Sequence, residues 1–335
     1  MFRKIFIPVL FLGIGLSAYS QPKEFYKEVG LIIWVVNDAP AVAEGWKNIG
    51  FKSIVDHGRI KLNKLTYKSE VAEAEIHLYT AFLGGAKILW IQPLRGKCAF
   101  SEFLKKNGNG VFALLHDVPY NVDMMEEVER LNNLGVKVIQ DGQVMAQNLP
   151  LRMTYMQTGN KGKYVIGFMN GSTSYFDDIK ISNDLNMKFN QFAFAIKESS
   201  ADKVSAYWES LGFPAMQITH GETWGKEYYG ESADFDMKLG WYRYGNIVYE
   251  WCIPLKTPTV YEDHIKKYGE GFQHLGFSVA DMDKAIEYFE NRGFKISMSG
   301  GWGEKGKPGS GRFAYVNTEE IGGETIELLW SYSEY

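Results

Sequence analysis

The 335-residue sequence predicts an α+β protein of four βαβββ modules, paired into two domains of similar plan. Three observations predict it. The length allows about two domains. Two stretches repeat one another, FSEFLKKNGNGVFALLHDV from residue 100 and YEDHIKKYGEGFQHLGFSV from residue 261, an offset of 161. Each half also divides again: FNQFAFAI (189–196) matches FQHLGFSV (272–279), and both alternate as strands do.

The elements follow in order. In the first module VGLIIWVV reads as a strand, AEGWKNIGF as a helix and AKILWIQPL as the closing strand. The second has GVFALLHDV, EEVERLNNLGV and KYVIGFM in the same places. The third runs FNQFAFAI, ADKVSAYWESLGF, KLGWYRYG and NIVYEWCIP, and the fourth FQHLGFSV, MDKAIEYFENRGF, GRFAYVNT and ETIELLW. The helices of the third and fourth modules end on a glycine before phenylalanine, a helix stop. The domains therefore span 22–178 and 187–335, with the polar FDDIKISNDLN at the junction.

Composition bounds the function. Hydrophobic residues make up 45% and charged residues 23%, as in ordinary globular chains, and aromatics reach 15%, which suits pleated surfaces. A formal net charge of −4 with no basic run excludes a nucleic-acid footprint. Residues 1–20, MFRKIFIPVLFLGIGLSAYS, have the form of a cleavable leader. Arg3 and Lys4 precede an apolar Ile5–Leu16 run, and Ala18-Tyr19-Ser20 offers a small-x-small cleavage site near Ser20. The expected location is periplasmic or secreted, with no membrane attachment after cleavage. Export would permit Cys98 and Cys252 to pair. Their positions do not correspond under the repeat, and the reading favours two unpaired thiols. Cys252 follows Glu250 by two residues in a strand, so the two share a face.

Four such modules in two pairs resemble the vicinal oxygen chelate superfamily, which includes glyoxalase I, methylmalonyl-CoA epimerase, extradiol dioxygenases and bleomycin-resistance proteins. The run GFQHLGFSVADMDKAIEYFENRGF, followed by GRFAYVNTEEIGGETIELL, is most similar to the epimerase and glyoxalase I branch. In that family two modules pair into a cupped mixed sheet with flanking helices around one metal. Aligning the module-opening strands sets Gln191 on His274, and aligning the closing strands sets Glu250 on Glu327. The resemblance implies that Gln191, Glu250, His274 and Glu327 hold one divalent ion (Zn, Ni, Co, Mn or Fe), an oxygen-rich set suited to such metals. A glutamate amid apolar strand neighbours is costly unless paired or metal-bound. The offset of 161 gives Gly30, Leu89, Ala113 and Ile166 in the first half, none of them a ligand.

What the resemblance implies for chemistry is a metal-dependent isomerase, epimerase or lyase acting through an enediolate, with Glu327 as base and Glu250 as its partner. Export argues against CoA thioesters and glutathione adducts and for a small α-hydroxycarbonyl compound such as a keto-sugar. The alternative is a non-catalytic protein that binds or sequesters a small molecule. A ring-cleaving dioxygenase fits less well, because that chemistry favours two histidines and a carboxylate on iron. A homodimer is an arrangement open to this family.

Other segments are weighed beside this. GGWGEKGK (300–307) fails as a phosphate loop, since Pro308 stands where Ser or Thr is required and a strand follows. It reads either as a glycine-hinged lid carrying Trp302 or as a solvated hairpin loop. HGETWGKEYYGESADFD (220–236) reads chiefly as a surface loop, with contact to a carbohydrate-like or other polar ligand through His220, Trp224, Tyr228 and Tyr229 as the alternative. Arg243 is a candidate anion contact. His57, His77, His116 and His264 show no metal spacing.

Overall fold

The structure, a computed structural model, describes residues 23–332 except 147–148, 172–175, 177–178 and 180–181. The leader and part of the junction lie outside the described residues. None of the described helices is long and apolar enough to cross a membrane.

The first half contains β1 (Leu31–Val35), α1 (Ala39–Asn48), β2 (Ile54–Lys61), β3 (Asn63–Tyr67), β4 (Glu70–Val71), β5 (Ala74–Leu83) and β6 (Ala86–Gly96). Then come α2 (Ala99–Asn107), β7 (Gly110–Asp117), α3 (Asn121–Asn133), β8 (Val138–Ala146), β9 (Leu149–Met156), α4 (Gly159–Gly162) and β10 (Val165–Gly171). The second half opens with β11 (Lys188–Ala195), α5 (Glu198–Ser210), β12 (Gln217–Thr219), β13 (Thr223–Tyr228), β14 (Glu231–Ser232), β15 (Asp236–Tyr244) and β16 (Ile247–Lys256). It closes with α6 (Val260–Tyr268), β17 (Gly271–Ser278), α7 (Met282–Glu290), β18 (Ile296–Trp302), β19 (Gly311–Val316) and β20 (Thr325–Ser331).

Each half is one curled ten-stranded mixed sheet with helices outside. The orders are β2-β5-β6-β1-β7-β10-β9-β8-β3-β4 and β12-β15-β16-β11-β17-β20-β19-β18-β13-β14. They are identical strand for strand. The repeated Lys-Lys-x-Gly-x-Gly is a helix end. Lys105 and Lys106 close α2, Lys266 and Lys267 close α6, and both pairs face the negative end of the helix dipole. Gly108 and Gly269 follow at φ 78° and 85°, where glycine alone is unstrained, and release the chain into β7 and β17.

Two expectations are corrected. Modules two and four keep the strand–helix–three-strand plan, but modules one and three add a hairpin each, β3–β4 and β13–β14. The segment 220–236 is therefore not a plain surface loop. The chain leaves β12 at one edge of the sheet, crosses the cup, and pairs β13 with β18 near the other edge. The apolar alternation is weak in this stretch, so its strand character comes from the available edge of β18.

The second correction concerns register. The matching bulges between Glu75 and Ile76 and between Asp236 and Met237 keep the offset of 161 in β5 and β15. In β1 the offset falls to 160, since Ile33 faces Ala113 where Ala193 faces His274. It is also 160 in β10, since Val165 faces Ala113 where Thr325 faces His274. The counterparts of Gln191 and Glu327 are thus Leu31 and Gly167, not Gly30 and Ile166. A one-residue slip reverses which face a side chain occupies, so burial fixes register more strictly than sequence spacing does.

One apolar core joins the halves. It includes Trp34, Trp46 and Trp90 from the first and Trp208, Trp251 and Phe277 from the second. The Trp34 indole donates to the Gly322 carbonyl at 2.7 Å and Trp46 to that of Ile321 at 2.8 Å. Inside the first cup Leu31, Leu89, Ala113, Phe100, Phe112 and Tyr155 form a separate apolar cluster.

Candidate metal centre

The four sequence-predicted side chains come from four adjacent strands, β16, β11, β17 and β20, at the bottom of the second cup. They fall on two rungs. In one, Glu250 faces Ala193, which faces His274. In the next, Gln191 faces Gly276, which faces Glu327, which faces Tyr315. Polar head groups therefore alternate with a small residue, and the small residues leave the space the head groups occupy. The first half has Leu89, Ile33 and Ala113 on one rung and Leu31, Leu115, Gly167 and Tyr155 on the other. Bulky Ile33 and Leu115 replace Ala193 and Gly276, which fills the cup with hydrocarbon.

All four head groups are nearly removed from solvent, with exposures of 6% for Gln191, 3% for Glu250, 0% for His274 and 3% for Glu327. The Gln191 amide donates to Oε2 of Glu250 and to Oε2 of Glu327, both at 2.9 Å. His274 Nε2 lies 3.2 Å from Glu327 Oε2 and 3.4 Å from Glu250 Oε2. Ligands about 2.1 Å from one ion stand roughly 3 Å from one another, so these separations suit a shared cation. Rotating the Gln191 amide would present its oxygen in place of its nitrogen. His274 Nδ1 meets Gln273 Oε1 at 2.5 Å, a partner that holds the proton on Nδ1 and leaves Nε2 to coordinate.

The electrostatics favour a cation. Burial raises the pKa of Glu250, and the charge of Glu327 raises it further. Burial alone would lower that of His274, but Glu327 and Glu250 outweigh it and lift the imidazole to about 9. Two buried carboxylates this close need a positive charge between them. Protonated His274 supplies it here, and a divalent ion would do so more fully. The donor set therefore fits the ion expected from the sequence.

Sequence reasoning missed the support around this set. The Tyr315 hydroxyl donates to Glu327 Oε1 at 2.5 Å, and Tyr261 and Tyr315 share a hydroxyl contact of 2.7 Å. Both phenols are buried and held protonated, chiefly by desolvation. Phe313 and Tyr315 alternate inward along β19, a signal that GRFAYV did contain. Cys252 shares the face of Glu250 as expected, and the ligating atoms of Glu250, Cys252 and His274 all lie within 4.8 Å of one another. Cys98 and Cys252 are both buried and unpaired.

A cavity of about 820 Å³ opens above the cluster and is lined at its base by Gln191, Glu250 and Glu327. His220, Arg243 and Trp302 all line it. The His220 ring holds Asp236 at 2.9 and 3.0 Å, and the Arg243 guanidinium lies 5.3 Å from the Trp241 ring centre. The glycine-rich segment after Trp302 links β18 to β19, and its Gly303 and Glu304 reach the cavity rim.

Two cupped sheets, one packed with hydrocarbon and one holding a buried carboxylate–imidazole–amide cluster beneath a cavity, define a paired-module protein with a candidate metal centre in its second domain. Residues 190–315 match the glyoxalase/bleomycin resistance protein/dioxygenase superfamily. The second half is thus similar in sequence to that superfamily, and the first half shares the strand order of the second. No curated protein matches the chain. Among solved structures it is similar to a mutant 4-hydroxymandelate synthase from Streptomyces coelicolor, with 12% identity, TM-score 0.56, and 92% of this chain and 93% of that one covered. A xylose isomerase-like TIM barrel/4-hydroxyphenylpyruvate dioxygenase fusion protein gives 12% identity and TM-score 0.51, with 92% of this chain and 50% of that one covered. A Mn(II)-bound glyoxalase from Novosphingobium aromaticivorans gives 11% identity and TM-score 0.45, covering 92% and 83%. At these identities the first two likenesses establish the fold alone.

Proposed function

We propose that the protein is a metal-dependent isomerase, epimerase or lyase acting on an α-hydroxycarbonyl compound. The observation that carries this reading is the convergence of Glu250 and Glu327 on Gln191 and His274 at the base of a cavity. A divalent ion held by these four residues would polarise a substrate carbonyl and offset charge on the enediolate. In this reading Glu327 accepts a carbon-bound proton and returns it, and the Tyr315 hydroxyl that donates to its Oε1 supports that role. Glu250 stands opposite as ligand or second base.

The cluster has one histidine, so it lacks the two-histidine, one-carboxylate set that non-haem iron oxygenases favour. This supports proton transfer over ring cleavage, although the structural neighbours include a synthase and a dioxygenase by name. We further propose export through the leader at 1–20, supported by Arg3, Lys4 and the apolar run after them. N-terminal sequencing of the exported protein checks that point.

The test of function pairs elemental analysis with isotope exchange. Wild-type protein purified without chelators should carry about one divalent ion per chain, and His274→Ala should carry far less. Metal-loaded wild type should incorporate solvent deuterium into an α-hydroxycarbonyl substrate. Glu327→Gln should lose this exchange and keep much of the metal, since an amide oxygen still coordinates but takes up no proton at neutral pH. Metal retention with no exchange on any such compound would favour a binding or sequestering protein.

A further inference from the structure

The cavity is several times larger than a three-carbon hydroxycarbonyl compound requires, and its walls differ from those of the sister domain at two matched positions. Trp241 lies on β15, to one side of the four cluster-bearing strands, and Trp302 lies on β18, to the other side beyond β19. Because the sheet curls, the two indoles stand on opposite walls of the cup, and both line the cavity. Register identifies their first-half counterparts. Trp241 faces Glu250 where Thr80 faces Leu89, and Trp302 faces Gly311 where Val144 faces Leu151. Both tryptophans thus occur only in the domain with the polar cluster.

Both rings are held in place. The Trp241 indole donates to Thr219 Oγ1 at 2.9 Å, on the edge strand β12. A side chain at Gly311 would begin 2.3 Å from the Trp302 ring, so that glycine provides the ring's seat. The mouth carries no surplus of positive charge. Arg243 stands against Glu222 and Glu304, His220 is already paired with Asp236, and no lysine among the described residues lines the cavity. Such a rim offers little to a diphosphate or a multiply anionic peptide conjugate. It offers hydrogen-bonding groups to a neutral ligand, in the pattern of an apolar cleft with a few convergent polar groups.

We propose that the substrate is a neutral, ring-bearing polyhydroxylated carbonyl compound, an oxidised sugar or glycoside carrying a keto group. Its ring lies between Trp241 and Trp302, and its hydroxycarbonyl edge faces Glu250 and Glu327. The C–H faces of such a ring pack on indole while its hydroxyls reach the rim. This rests on the proposed function, which sets the chemistry at the base of the cavity.

The test measures binding and exchange separately on the mature chain. Dissociation constants would be measured by calorimetry for a methyl keto-glucopyranoside, the glutathione hemithioacetal of methylglyoxal and a phenyl hydroxyketone. The keto-glycoside should bind at least tenfold tighter than the other two. Trp241→Ala and Trp302→Ala should each weaken it tenfold or more with metal content unchanged, and Trp302→Phe should recover part of the loss. Tighter binding of the glutathione or phenyl compound would overturn the proposal. So would undiminished keto-glycoside binding in both alanine variants. Tryptophan-dependent binding without deuterium exchange would uphold this ligand class and sink the catalytic reading. Exchange confined to the glutathione compound would do the reverse.

Discussion

The Tyr315 hydroxyl donates to Oε1 of Glu327 at 2.5 Å, which leaves Oε2 as the oxygen facing Gln191 and His274. One carboxylate is thereby divided between a fixed support and the site. The sister domain has Tyr155 in the same place, but its hydroxyl meets Met153 Sδ at 3.3 Å, with Gly167 where Glu327 would be. The partner ring changes too. Phe100 meets Tyr155 at 5.6 Å and 90°, while Tyr261 meets Tyr315 at 5.6 Å and 89°. The packing is kept and a hydroxyl is added.

Tyr315→Phe should therefore keep the fold and weaken divalent-ion binding by about 10- to 100-fold, the usual effect of losing a hydrogen bond to a ligand. Competition with a metal indicator measures it. An unchanged affinity would show that Glu327 orients itself without the phenol.

Gly276 lies between Gln191 and Glu327, and a Cβ there would sit 2.6 Å from Gln191 Cγ. Gly276→Ala should push Gln191 from the cluster and lower metal affinity about tenfold, with a smaller effect on stability because one methyl is added to a packed site. Metal titration and thermal melting, run on the same sample, separate the two effects.

The hydrocarbon filling of the first cup is expected to act on stability alone. Phe100 is fully buried and makes edge contacts with Phe112 and Tyr155. Phe100→Ala should cost about 3–5 kcal/mol through lost burial and the cavity left behind. Denaturant unfolding would measure that, and metal content per folded chain should stay at the wild-type level.

Acid stability offers a fourth check, away from the cluster. His116 is buried against Tyr26, and its Nδ1 meets the Glu28 carbonyl at 2.7 Å. Burial lowers its pKa from the ordinary 6.5 to about 4. The unfolded chain takes up this proton near pH 6.5 and the folded chain only near pH 4. The stabilisation is thus complete above pH 6.5 and is lost as pH falls through that window, by about 3 kcal/mol in all. Unfolding of chelator-treated protein across this range should show the loss, and His116→Gln should lessen the slope, the remainder coming from His264, which burial also lowers to about 4.

Much of this molecule was legible in its sequence. The repeated Lys-Lys-x-Gly-x-Gly, the alternating strands and the glycine-ended helices are local signals, set by side-chain periodicity and backbone freedom within a few residues. They determined the module and its fourfold use, and the family resemblance built on them implied Gln191, Glu250, His274 and Glu327 as the site. Tertiary structure alone decided the rest, because strand pairing joins residues far apart in the chain. It set the offset of 160 in β1 and β10 and placed Ala193 and Gly276 between the polar head groups. It also carried β13 across the cup to β18, turned Tyr315 toward Glu327 and set Trp241 opposite Trp302. Each of these depends on which edge is free and which face is buried, and a single stretch of sequence contains neither.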